Sequence, residues 1–317
     1  MILNVTLKMI LRSWWRNKVF FLVSVASLAL GLACTNLLMT YFVHEHGLEG
    51  HNPDRDRMFF LQQDDPMTEG KRVAYAAAEI PPQLKEGYAE VEDFLRLGKL
   101  DMLYCKVDGQ KVERDFMLIS ADTTLTHFFD YRTEEGSLEQ VLRQPGKMAL
   151  STACARSLFG ERQAIGKQVE VHLAYGGTRT YEVVAVLKER EQSLLQFDML
   201  TANDPDLFWG GPTLLKLTPG TDAARLADKL NADKVPTFMP GQTKYYLDPL
   251  DAICFTTPDD ASQQTLDFVS QTPVQTLYIS LLAAVLILVI ACCNYTNMSL
   301  SRLLQQLRMI HVEKLMG

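Results

Sequence analysis

The sequence predicts an α+β fold: a mixed α/β extracytoplasmic domain of two lobes, set between two transmembrane α-helices and preceded by an amphipathic interfacial helix. Three observations predict it. Two long segments, Val19 to Val43 and Val274 to Ser301, contain no Asp, Glu, Lys or Arg. The charges flanking each segment are strongly asymmetric, and the polar stretch between them alternates short helix and strand patterns. A mean hydropathy of −0.02 with 22% charged residues averages over these regions and hides them.

Residues 1–18 form the expected cytoplasmic amphipathic helix. Leu3, Leu7, Ile10, Leu11 and Trp14 recur at helical spacing, with Lys8, Arg12 and Arg16 on the other side. Lys8, Arg12 and Arg16 would meet anionic headgroups, with Trp14 and Trp15 at the membrane boundary. A plain basic flank that sets topology is the alternative reading.

Residues 19–43 form the first span. At the rise of an α-helix they cover about 37 Å, against a hydrocarbon core of about 30 Å. The apolar run exceeds a signal-peptide core and lacks a small-x-small exit. Gly31-Leu32-Ala33 before Cys34 is a poor lipobox. The second span, residues 273–298, has its apolar centre at Leu277 to Cys293, where Ser270 and Thr272 offer caps and Pro273 suits a first helical turn. Lys8, Arg12, Arg16 and Lys18 precede the first span, and Glu45, Glu49, Asp54 and Asp56 follow it. Asp259, Asp260 and Asp267 precede the second, with Arg302, Arg308 and Lys314 beyond. The positive-inside rule then places both termini in the cytoplasm.

The middle region, residues 44–272, reads as mixed. Helical spacing occurs at Pro81–Gly87, at Ser151–Phe159 closed by Gly160, and at Asp222–Leu230. Two hairpins are expected: Met102–Val107 with Glu113–Ile119 around Asp108-Gly109, and Gln168–Ala174 with Arg179–Leu187 around residues 175–178.

Catalytic signals are weak throughout. In the run from His44 to His51 a zincin would need His at position 48, which is Leu, so the run reads as a solvated polar stretch. Gly160 to Gln168 mimics a phosphate loop, but the glycines are six apart and Gln168 replaces Ser or Thr. Gly-x-Ser-x-Gly is absent from the sequence. No enzyme activity, metal or cofactor is expected. Cys105, Cys154 and Cys254 are an odd, widely spaced set outside the spans, so no essential disulfide is expected. The net charge of −7, with basic residues gathered at the membrane edges, argues against a nucleic-acid partner.

A family resemblance covers nearly the whole chain. The run from His51 to Leu61 resembles an Asp-Arg-aromatic lead into a first strand, and Ile80 to Leu97 is similar to a helix followed by a Pro-Glu-Val-Glu corner, with Ala89 in place of Pro. The most specific block is MALSTACARSLFGERQAIGKQVEV at Met148–Val171, followed by Tyr181–Leu200. Tyr245 to Phe255 resembles a return strand. Together these resemble the FtsX-like and MacB-like permeases of bacterial ABC transporters, whose extracytoplasmic part is a MacB-type periplasmic core domain.

The resemblance implies a permease subunit of the bacterial cytoplasmic membrane. It would work with a separate ABC ATPase subunit, dimerise with itself or a related permease, contact membrane lipid and engage a periplasmic partner. Residues 299–317 look like the start of the family's permease domain, with a coupling helix that touches the ATPase. Arg308, Val312, Lys314, Leu315 and Gly317 match its pattern, while Met309 and His311 replace the usual Glu and Gly. A basic anchor is the bland alternative for this segment. The family places two further membrane helices after this point, so the sequence is expected to be a fragment of a longer permease or a truncated product. A two-span receptor or a scaffold has the same topology and is the competing expectation.

Overall fold

The computed structural model describes residues 18–47, 49–64, 71–160, 163–190, 193–237, 244–255, 266–270 and 272–316. It divides into two compact units, a helix pair built from the two ends of the chain and a domain spanning residues 47–273.

The domain opens with a 3₁₀ turn at Arg55–Arg57 that delivers the chain into β1 (Met58–Asp64). The short strands β2 (Arg72–Val73) and β3 (Ala76–Ala77) lead to α1 (Ile80–Gly87), whose prolines occupy the first helical turn, where a missing N–H costs nothing. β4 (Val91–Lys99) follows. Next come the hairpin strands β5 (Met102–Val107) and β6 (Gln110–Val112), then β7 (Leu118–Ala121). The single turn α2 (Leu125–Phe128), β8 (Thr133–Gly136), α3 (Leu138–Arg143) and β9 (Lys147–Ser151) come next.

α4 (Thr152–Phe159) is capped as its sequence anticipates. The Ser151 hydroxyl accepts from the Cys154 N–H at 3.1 Å, and Gly160 ends the helix at φ +64°, a conformation L side chains rarely adopt. β10 (Gln168–Leu173) and β11 (Thr178–Leu187) form the second hairpin. The chain continues through β12 (Met199–Ala202), β13 (Gly210–Gly211) and β14 (Thr213–Leu217). α5 (Ala223–Ala232) is capped by the Asp222 carboxylate, which accepts from the N–H groups of Ala224 and Arg225. β15 (Tyr245–Pro249) and α6 (Leu250–Cys254) complete the described domain before residues 266–270.

One sheet runs through both lobes in the order β15-β1-β14-β4-β7-β12-β9-β11-β10-β5-β6, with β2 added to β1 and β8 to β11. β4 is the shared strand. Val91 to Arg96 pair with β14, whereas Leu97 to Lys99 pair with β7. On one side of this junction α1 and α5 pack over Leu61, Leu215 and Tyr245. On the other, α4 covers Leu150, Val169 and Val183. Between them a central cluster joins Phe60, Leu95, Leu97, Phe128, Phe129 and Leu200. The run Val183 to Leu187 is buried throughout, as expected of a strand lying parallel to β9 inside the sheet.

Two sequence expectations need correcting. Met102–Val107 pairs with Gln110–Val112, not with Glu113–Ile119. Lys106 sits opposite Lys111, so the two-residue turn at Asp108-Gly109 closes directly, and the polar run 113–115 followed by the buried Phe116 carries the chain to β7, deep in the sheet. The return strand expected over Tyr245–Phe255 stops at Pro249, and the rest is helical, with Leu250 and Ile253 buried.

The helix pair consists of a first helix, Lys18–His46, and a second, Val274–Met316. Their membrane-length apolar windows are Val25–His44 and Val274–Asn297. They touch through small and polar side chains. A Cβ on Gly31 would lie 2.6 Å from the Ala291 Cβ, the Thr35 hydroxyl donates to the Ala284 carbonyl at 3.2 Å, and Asn294 donates to the Ser27 hydroxyl at 2.8 Å. Leu22, Leu30, Ile279, Leu282 and Ile290 face outward, apolar groups presented where lipid tails would satisfy them.

Candidate functional site

The domain has two ends, one following the first helix and one preceding the second. Both are tied to the same internal segment, residues 193–197. At the first end Glu49 adopts φ +54° and turns its carboxylate inward, where it is only 1% exposed. Arg190 grips it with both terminal guanidinium nitrogens, one at 3.1 Å, and the Leu194 N–H donates to the same carboxylate at 3.0 Å. At the second end the Ser270 N–H donates to the Leu194 carbonyl at 2.7 Å. The Gln196 N–H reaches the Phe268 carbonyl, and Leu195 bridges Val269 antiparallel. The two peptide groups of Leu194 thus join the two ends of the domain.

Aromatic packing stiffens this strap. The Arg190 guanidinium lies 5.3 Å from the Tyr131 ring centroid and 5.9 Å from that of Phe129. The Tyr131 and Ser193 hydroxyls are 3.2 Å apart. Burial pushes the Tyr131 phenol well above its ordinary range, so it stays neutral and serves as a hydrogen-bonding spacer.

Residues 52–57 extend the anchorage. The Asn52 amide donates to the Phe128 carbonyl at 2.6 Å, and its own carbonyl oxygen accepts from the Asp54 N–H. Asp54 is paired with Lys216 and Arg57, and Arg57 also pairs with Glu92 and donates to the Leu217 carbonyl at 2.9 Å. These hydrogen bonds, from Lys216 first and then Arg57, hold the Asp54 carboxyl below its usual range. His51, Asp54, His127, Tyr131 and Arg190 border a cleft of about 540 Å³ beside the strap.

A second polar knot sits at the lobe junction. Asp122 accepts from the Arg96 backbone N–H at 3.0 Å, from its Nε at 2.8 Å and from its Nη2 at 2.9 Å, and also from the Asn203 amide at 3.0 Å. Arg96 sends its remaining terminal nitrogen to the Ala78 carbonyl at 2.6 Å. Since Arg96 is the last β4 residue paired with β14, this knot pins the point where the sheet passes from one lobe to the other.

This arrangement fixes geometry. Paired charges, backbone bridges and a neutral phenol hold chain segments together. Among the described residues no group of three or more His, Cys, Asp or Glu is placed to hold a metal ion. His44 to His51, read from the sequence as solvated, in fact contributes the buried Glu49. Sequence reasoning missed the Glu49–Arg190 pair because its members are 141 positions apart and each sits in a run that reads as surface charge.

Of the expected site residues, Arg308, Val312, Lys314 and Leu315 lie on the last turns of the second helix, which continues unbroken from the apolar window to Met316. Gly317 and the membrane-interface set Lys8, Arg12, Trp14, Trp15 and Arg16 lie outside the described residues.

Comparison with known proteins places the chain. Residues 21–233 match the MacB-like periplasmic core domain family. Among solved structures, a domain assigned to a permease protein of Porphyromonas gingivalis superposes with a TM-score of 0.50 at 18% identity, covering 62% of this chain and 91% of that one. The periplasmic region of MacB from Actinobacillus actinomycetemcomitans gives 0.45 at 10% identity, with 63% and 91% covered. The extracellular domain of the noncanonic ABC-type transporter YknZ from Gram-positive bacteria gives 0.44 at 17%, with 59% and 98% covered. No curated protein matches the sequence. With two thirds of its length inside the family match and two membrane-length helices at its ends, the chain belongs to the MacB-like periplasmic core domain family, a membrane protein of the transporter-permease class with an extracytoplasmic domain.

Proposed function

We propose that the chain is a permease subunit of an ABC transporter that carries ATPase-driven motion across the membrane to its extracytoplasmic domain, for export or envelope remodelling. In this reading a separate ATPase subunit engages the end of the second helix through Arg308, Val312, Lys314, Leu315 and Gly317. Both termini are cytoplasmic, a basic amphipathic segment bearing Lys8, Arg12, Trp14, Trp15 and Arg16 lies at the lipid interface, and the permease works as a dimer with itself or a related permease. The chain carries no catalysis of its own.

The observation that carries the reading is the second helix. It is one continuous rod of 43 residues, which at the α-helical rise is about 64 Å, roughly twice a hydrocarbon core. A rod that begins four residues after the Ser270 hydrogen bond to Leu194 and runs past its apolar window to a Lys/Arg-bearing end is suited to passing displacement to the strap at Leu194.

The test is affinity purification of the chain in detergent with identification of co-purifying proteins. Recovery of an ATP-binding cassette subunit, lost on deletion of residues 308–317, is the expected result. A folded protein that neither retains such a subunit nor stimulates its turnover would shift the assignment to a receptor or scaffold.

A further inference from the structure

The described part of the domain exposes three large hydrophobic side chains: Tyr175 at 84%, Trp209 at 78% and Leu103 at 65%. Two of them converge. Tyr175 and Trp209 line one cleft of about 470 Å³, together with Leu100, Leu173 and Leu207. Exposed apolar side chains scattered singly need no explanation, but a cluster of them does.

The cleft walls are fixed. On one side the β10–β11 turn is closed by the Leu173 N–H donating to the Gly177 carbonyl, and it is docked by the Ala174 N–H on the Asp101 carbonyl at 2.7 Å. Gly176, at φ +94°, lets this turn approach Leu207, whose Cδ2 would lie 2.4 Å from a Cβ there. On the other side Asp204 organises the turn beneath Trp209, its carbonyl accepting from Leu207 and Phe208 and its carboxylate from the Asp206 N–H. The Trp209 carbonyl is held by the Ala78 N–H at 3.0 Å. Both aromatic rings therefore stand on anchored backbone, which lowers the entropy cost of binding against them.

Charge decides what fits. Among the described residues lining the cleft, the charged side chains are Asp101, Asp206 and Lys99. The Lys99 ammonium is shared between Asp267 and Asp101, the latter at 3.6 Å, so with Asp206 also at the cleft carboxylate is in excess there. Residues 47–273 carry 24 Lys and Arg against 36 Asp and Glu, a net charge of −12 that attracts cations over a long range. Aromatic faces beside carboxylates suit a guanidinium or ammonium stem, whose alkyl part lies on the rings while its head meets the carboxylate.

We infer that the Tyr175–Trp209 cleft is a docking site for a polypeptide partner that presents Arg or Lys flanked by apolar side chains. The inference is independent of ATPase coupling, because it uses only residues of the domain.

Trp209 is the only tryptophan besides Trp14 and Trp15, so a full-length W14F/W15F chain in nanodiscs of zwitterionic lipid reports on this cleft alone by fluorescence. The probe is a synthetic nonapeptide of alternating Leu and Arg. The expected result is a saturable change in Trp209 emission that weakens as salt rises. Asn at both Asp101 and Asp206 weakens it about tenfold, and Tyr175→Ala about three- to tenfold. An alternating Leu and Glu peptide gives no saturable change. An equal response to the Glu peptide, an unchanged affinity in the double Asn variant, or no saturation with the Arg peptide overturns the inference. So does saturable quenching by a chitin tetrasaccharide, which reassigns the cleft to glycan, or an emission that tracks protein concentration alone, which reassigns it to self-association. Near-ultraviolet circular dichroism of each variant confirms that the domain is folded.

Discussion

The Glu49 carboxylate and the Arg190 guanidinium meet in a two-point ion pair beside the Leu194 peptide, and through it the domain's first residues are fastened to the segment that also holds its last. With Glu49 almost wholly buried, the pair is an anchor whose two halves depend on each other.

Removing one half should therefore cost more than removing both. Arg190→Met strands a buried carboxylate and is expected to destabilise the domain by about 3–5 kcal/mol. That lowers its melting temperature by about 6–20 °C. Adding Glu49→Leu removes the stranded charge and should recover part of the loss, leaving mainly the orphaned Leu194 N–H at about 1–3 kcal/mol. Scanning calorimetry of the two variants checks the order, and a double variant less stable than Arg190→Met would sink this account.

The lobe junction predicts a loss of cooperativity. Asp122→Ala leaves Arg96 and the Asn203 amide without their shared acceptor, a cost of about 3 kcal/mol or more. Because these bonds sit where β4 passes from β14 to β7, urea unfolding in the W14F/W15F background should broaden or split into two transitions when followed separately by Trp209 fluorescence and far-ultraviolet circular dichroism. A single coincident transition at the wild-type midpoint would show that the knot is dispensable.

The Asp54 carboxyl, held below its usual range by Lys216 and Arg57, gives a signed pH dependence. A carboxylate whose folded-state pKa is depressed contributes stability that is fully present above the ordinary value near about 4 and is lost as pH falls through the folded-state value. Wild type and Asp54→Asn should therefore differ most at neutral pH and converge only once the pH has fallen below the depressed folded-state value. Melting temperatures measured from pH 7 to pH 2 test this, and a gap that widens toward acid would contradict it.

The helix pair should not tolerate bulk at its contact. Gly31→Leu puts side-chain atoms where the Ala291 Cβ lies, so the two helices must separate. Asn294→Leu removes only the bond to Ser27, worth about 0.6–2 kcal/mol in a membrane. Unfolding in mixed micelles by sodium dodecyl sulfate should rank Gly31→Leu as the more damaging variant.

What the sequence by itself determined follows from local chemistry. Two charge-free segments were long enough to span, whatever the rest of the chain did. The hydroxyl of Ser151 and the carboxylate of Asp222 sat where helix N-termini need acceptors, and Gly160 stood where a helix ends at positive φ. The 175–178 turn closed its hairpin in the expected place, and the Met148–Val171 block carried the family resemblance.

Tertiary structure decided everything that depends on partners distant along the chain. Glu49 and Arg190 each lie in a polar run that reads as solvated, and only the folded chain brings one against the other and against the Leu194 N–H. Arg96, Asp122 and Asn203 likewise gain meaning only as three strands meet. The Asp108-Gly109 turn was visible in the sequence. Its second strand was not, because Gln110–Val112 is too short to show a period of two, and pairing with β5 chose it over the more apolar run that begins at Leu118. A propensity is a property of a few neighbouring residues, whereas a buried ion pair or a sheet register is settled by which surfaces can be desolvated together, and that comparison is made only in three dimensions.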